Sequence, residues 1–212
     1  MDDSLRVRIL GESDRFGSEN PPLMISTEQM IALHGLFAEA AAAGEAALAE
    51  LSGCETEIEV QEIRCTALSE FGERGMCLSQ DLVAGVMGRL EGSMPGSLNL
   101  VLEPEEALTW SRMGGAEDLL ETFVEIGRRL LGGMTVALSE ILSGDASFEG
   151  AALVEESELA MLVKTHAPSD TLVFSTRMRI DVRDEIFTAV SHMLIEPKYL
   201  AQLLSALSAA IH

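Results

Sequence analysis

Apolar residues recur at helical spacing along one long segment of the chain. Leu119, Phe123, Ile126, Leu130, Ala137 and Ile141 fall three, four and seven positions apart, on one face of an amphipathic helix predicted over 117–142. Ala116-Glu117-Asp118 places acids at its start, where the helix dipole favours them. A second long helix is predicted over 27–52, with Ser26 or Thr27 as its cap and Gly53 as its stop. Its small residues, Ala40 to Ala43 and Ala46-Ala47, suit close packing against another helix. Strands are predicted at Thr56–Thr66, where Ile58, Val60 and Ile63 alternate only roughly, at Leu82–Met87 and at Leu98–Leu102. Turn residues Gly92 to Ser97 join the last two, and Pro104 opens a short helix to Met113, stopped by Gly114-Gly115. Further strands are predicted at Phe148–Val154, Leu172–Ile180 and Ile186–Leu194, then a closing helix from Pro197 to Ala210. Residues 1–25 show no sustained period and read as a flexible leader.

The pattern occurs twice. Ala47-Leu48-Ala49-Glu50 returns as Ala137-Leu138-Ser139-Glu140, 90 positions on, and Leu102-Glu103-Pro104 returns as Ile195-Glu196-Pro197, 93 positions on. Two matches in the same order imply a duplicated α-β-β-β-α unit, covering about 26–115 and 116–212, too long for a solenoid repeat. The expected fold is α+β: one domain in which a sheet is flanked by two long pseudo-symmetric helices.

Charge narrows the partners. A net charge of −21 over 212 residues repels phosphate backbones and anionic lipid, so neither nucleic acid nor a membrane surface is expected as a partner. No apolar run approaches the roughly 20 residues that span a bilayer. Cys54, Cys65 and Cys77 are odd in number and match no zinc spacing, so free thiols in a reducing, cytoplasmic compartment are expected. His34, His166, His192 and His212 share no ligand spacing, and neither a metal nor a cofactor is expected. Gly127 and Gly132-Gly133 each cost a helix about 1 kcal/mol relative to Ala, so a close contact is expected beside them.

Glu125-Ile126-Gly127, then Gly132 and Val136-Ala137-Leu138-Ser139, resembles the Glu-Ile-Gly-Asn helix of the CheC, CheX and FliY chemotaxis phosphatases. Asp81 to Trp110, with its strand, Gly-rich turn, strand, Glu-Pro and helix, resembles the part of that family between its two long helices. The likeness covers about 26–210. It implies hydrolysis of the aspartyl phosphate on a CheY-type receiver domain, with a motif of Asp or Ser, Glu, Asn and a later Pro. The Asn positions the attacking water and the Glu contacts the receiver. That chemistry asks little of the phosphatase, since the receiver's own metal and basic groups activate the phosphate and an inserted amide orients water in line.

In the second half the motif positions are Glu121, Glu125, Arg128 and Ala151, and in the first half Ile31, Gly35, Ala38 and Gln61. The Glu is present once. The Asn is present in neither half. Arginine accepts no hydrogen bond from water, although it pairs with phosphate oxygens. Read without the family, Glu121, Glu125, Arg128 and Arg129 form a solvated helix face, with Glu125 and Arg129 as an i,i+4 ion pair. Three functions therefore stand: a receiver-binding module with weakened or lost phosphatase activity, an active phosphatase using Glu125 with Arg128, and a non-catalytic flagellar-switch-type scaffold. The partners implied are a CheY-type receiver, another chemotaxis protein or a second copy of the chain.

Overall fold

The computed structural model describes residues 25–68, 84–113, 119–142, 144–155 and 171–210. The leader, Leu82-Val83, Gly114-Gly115, Ala116 to Asp118, Cys77, His166 and His212 lie outside the described residues.

Helix α1 runs Thr27–Ser52. Ser26 is its cap: Ser26 Oγ accepts the Gln29 N–H at 3.2 Å while Gln29 Oε1 accepts the Ser26 N–H at 2.9 Å. Gly53 ends it at a φ of 65°, its N–H donating to the Ala49 carbonyl. Strand β1 (Thr56–Ala67), strand β2 (Ala84–Gly92), strand β3 (Gly96–Leu102) and helix α2 (Pro104–Met113) complete the first half. Helix α3 (Leu119–Leu142), strand β4 (Ala146–Glu155), strand β5 (Leu172–Val182), strand β6 (Glu185–Ile195) and helix α4 (Pro197–Ala210) make the second. Both short helices begin with proline after glutamate, where the absent N–H costs nothing.

The six strands form one antiparallel sheet in the order β1-β5-β6-β3-β2-β4. Exchanging β1 with β4, β2 with β5 and β3 with β6 turns that order into its own reverse. Two contacts agree with the sequence offsets. The central β3–β6 pair sets Asn99 opposite His192, residues 93 apart. Where α1 crosses α3, a Cβ on Gly133 would lie 2.8 Å from the backbone of Ala43, 90 positions away. A twofold axis relating the halves would pass through both contacts.

Each edge strand carries one extra residue. In β1 the register slips between Val60 and Glu62, leaving Gln61 as a bulge. Ile58 and Val60 therefore alternate in one phase and Ile63 in the other, which is why the sequence pattern looked irregular. In β4, Glu149 and Ala152 face Arg89 and Met87, so Gly150 and Ala151 together oppose one residue.

Among the described residues, four helices pack on one sheet face. Leu33, Leu36, Phe37, Leu130, Leu131, Leu200 and Leu203 meet Leu98, Leu100, Phe174, Met178 and Met193 there, and Trp110 of α2 stacks on Phe187 with ring centroids 5.9 Å apart. On the opposite face Val101, Val173, Val190 and Leu194 are also buried. Between them runs a polar row, Asn99, His192 and Ser175, in which Ser175 Oγ lies 2.8 Å from His192 Nδ1. Burial pushes the His192 pKa down to about 3, so the ring is neutral.

One expectation is corrected. Helix α1 is long and apolar enough, by length and composition alone, to cross a membrane, because its alanines raise the mean hydropathy to 1.2 without forming a run of large apolar residues. Here Leu33, Leu36, Phe37 and Leu48 are spent on the protein core.

Candidate functional site

The apolar stripe of α3 faces the core, which leaves Glu121, Glu125 and Arg128 on the outer face, one turn apart. Gly127 is what lets α3 lie so close to the sheet: a Cβ there would sit 2.7 Å from Val86 Cγ2. Gly133 does the same against α1. The close contacts expected at these two glycines are internal packing, whereas Gly132 has nothing within 4 Å of its missing Cβ.

Glu125 is the centre of the charged face. Arg128 grips its carboxylate side-on, Nε to Oε2 and one terminal nitrogen to Oε1, both at 2.8 Å. Arg129 Nε donates to Oε1 at 2.8 Å from the other side. Arg129 also reaches across to α1, where its second terminal nitrogen lies 3.5 Å from Glu50 Oε2. The hydrogen bond from Arg128, then that from Arg129, hold the Glu125 pKa near 2, against a burial effect that raises it. Arg128 is correspondingly held above its ordinary value by Glu125. With side-chain exposures of 54% for Arg128, 33% for Glu125 and 31% for Arg129, the outermost arginine is the one a partner meets first.

The Glu125–Arg129 pair expected from spacing is present, and Arg128 joins it. The link to Glu50 was missed. Glu50 lies 79 positions from Arg129, and only the antiparallel crossing of α1 and α3 brings them together. Ala151 stands apart from these charges in the motif: it is half-buried against the core, in the β4 bulge. Gln61 occupies the β1 bulge at the equivalent position.

The matching face of α1 is bare. Ile31 is 59% exposed, Gly35 has nothing within 4 Å of its missing Cβ, and Ala38 and Ala42 are exposed. Glu45, one turn beyond Ala42, is half-buried and accepts the Ile58 N–H at 2.6 Å. A cleft of about 580 Å³ opens between Glu45, Cys54, Glu57, Asp181 and Arg183. Its one cation donates to the Ser52 carbonyl and the Cys54 Sγ, so its lining is anionic and unsuited to phosphate. Cys65 is a half-buried thiol, its pKa pushed up by desolvation to about 12. Among the described residues no group of three His, Cys, Asp or Glu side chains is placed to hold a metal.

No family model matches the chain, and no curated protein matches its sequence. Solved structures do match. FliY from Thermotoga maritima superposes with a TM-score of 0.72 at 12% identity, over 88% of this chain and 99% of that one. The protein has the FliY fold. The FliM middle domain from H. pylori shares it at a TM-score of 0.61 and 12% identity, over 86% of this chain and 99% of that one. FliM in a FliG–FliM complex from H. pylori does so at 0.58 and 13%, over 85% and 100%. Within this FliY-type fold, the helix pair that carries the charged cluster is the same pair whose crossing joins the two halves.

Proposed function

We propose that this is a chemotaxis or flagellar-switch signalling protein that binds a phosphorylated CheY-type receiver and has lost most or all phosphatase activity. One observation carries the reading: the Glu125 carboxylate is held by two arginines, and no side-chain amide stands at Arg128 or at its counterpart Ala38. A guanidinium offers an attacking water no acceptor, but it matches the paired oxygens of a phosphoryl group. The exposed cluster therefore suits recognition of phosphate better than its hydrolysis. The FliY-type fold supports the setting, the net charge of −21 supports steering toward the basic rim of a receiver's pocket, and both fit a cytoplasmic protein. We read the chain as one domain after a leader of about 25 residues. Its repeats, about 26–115 and 116–212, arose by duplication, and Arg128 has replaced the catalytic amide in the second.

The test follows the phosphate lifetime of a CheY-type receiver with and without the protein, beside its binding. Binding without acceleration is expected. Arg128→Asn returns a neutral amide one turn from Glu125 and is expected to shorten the lifetime. Acceleration by the wild type would instead establish an active phosphatase using Glu125 with Arg128. A scaffold reading is favoured by one likeness, that to FliM solved with FliG. Failure to bind any receiver, phosphorylated or not, would leave that scaffold, with a second copy or another chemotaxis protein as its contact.

A further inference from the structure

The four charges Glu50, Glu125, Arg128 and Arg129 sum to zero, yet their holds on Glu125 differ in kind. Arg128 contacts both carboxylate oxygens and is the more exposed of the two arginines. Arg129 contacts only Oε1, and its far end is tied to α1 through Glu50. The equivalent positions on the other side of the helix crossing are Gly35, Ala38, Glu39 and Glu140, which contain no cation at all. The arrangement is thus confined to one side of the helix crossing.

We infer that the cluster is an ion-pair exchange latch, in which Arg128 is the exchangeable partner of Glu125 and Arg129, anchored by Glu50, is a positioning residue. This deepens the proposed function and rests on it: the ligand that opens the latch is a phosphoryl dianion on a receiver. The fork that now fits the carboxylate fits two phosphoryl oxygens equally well, so Arg128 transfers from one anion to the other without losing its paired hydrogen bonds. Its departure uncovers Glu125 Oε2, whose hydrogen bond comes from Arg128 alone, while Oε1 stays held by Arg129. The freed oxygen then faces the partner and accepts a cation from it. No charge is left unpaired at any stage, which is what makes the exchange cheap. Without Arg129 and Glu50, a carboxylate released by Arg128 would sample other rotamers and present no fixed acceptor. The latch therefore makes affinity depend on the phosphoryl group.

The test measures the affinity of the full chain for a CheY-type receiver with and without beryllofluoride and Mg²⁺, which mimic the aspartyl phosphate. The wild type is expected to prefer the activated receiver. Arg128→Gln is expected to lower that preference by roughly tenfold, toward equal binding of both forms. Arg129→Gln and Glu50→Gln are expected to weaken both forms together and keep the preference, with Arg129→Lys restoring part of the loss. In spectra that resolve arginine Nε–H signals, the Arg128 signal should move on adding the activated receiver while that of Arg129 stays. Wild-type binding with an unchanged preference in Arg128→Gln overturns the latch and leaves the proposed function standing. A wild type that binds neither form overturns both. Variants whose melting temperature falls while affinities hold would show the cluster to be structural only, and would also overturn the latch.

Discussion

The outer faces of α1 and α3 belong to two long helices that cross each other over one face of the sheet, but they share almost no chemistry. Where α3 presents Glu121, Glu125 and Arg128, α1 presents Ile31, Gly35 and Ala38. Inside the crossing the two remain matched, Ala43 against Gly133. Packing constrains the inner positions because a single added methylene is felt there. The outer positions answer only to solvent and partners, so they are free to diverge.

The comparison breaks most violently at the crossing. Gly133→Leu drives a side chain into the Ala43 backbone and is expected to cost several kcal/mol, roughly the scale of a severe overpacking, seen as a collapse of the thermal or urea midpoint. Asn99 and His192 offer a second break, since they face each other but only one of them titrates. The unfolded histidine takes a proton near its ordinary 6.5, whereas the buried ring resists until about 3. Stability is therefore complete above about 6.5 and falls as pH drops toward 3. Glu125, with its pKa near 2, adds a smaller loss between its ordinary 4.5 and that value. His192→Asn should flatten the upper part of the slope in urea titrations at stepped pH.

The exposed faces sharpen the contrast more gently. Charge reversal of Glu121 and Glu125 together is expected to weaken receiver association by roughly tenfold at low salt and less at high salt, with the fold intact. Large substitutions at Ala38 or Ala42 should leave stability unchanged, because both are exposed, and would register only in self-association. Binding measured across salt concentrations decides it. The smallest effect has the opposite sign. Gly132→Ala and Gly35→Ala meet nothing within 4 Å and should stabilise by up to about 1 kcal/mol through helix propensity alone, beside the damaging change at the adjacent Gly133.

Much of this was legible in the sequence, for local reasons. Ser26, Gly53 and the two Glu-Pro pairs set helix ends through caps and missing donors, which act within one turn. What stayed hidden was long-range. That β1 pairs with β5, and β4 with β2, depends on contacts no local pattern encodes. The turn at Arg183-Asp184, with φ of 52° and 65°, carries no Gly or Asn to announce it. In the site, the Glu125–Arg129 spacing was readable, but Glu50 was not, because its approach requires the helix crossing first.

The exchange of edge strands has a consequence for the chain as it is made. Among the described residues, strand β1 pairs only with β5, and residues 68–171 separate the two. At a synthesis rate of about 5–20 residues per second, β1 waits roughly 5–20 s outside the ribosome with both edges bare. A long bare strand recruits other strands unless charges forbid it. Glu55, Glu57, Glu59 and Glu62, together with the bulge at Gln61, place repulsion and a kink along that stretch. The acidic edge that adorns the finished sheet is, during synthesis, what keeps one nascent chain from pairing with the next.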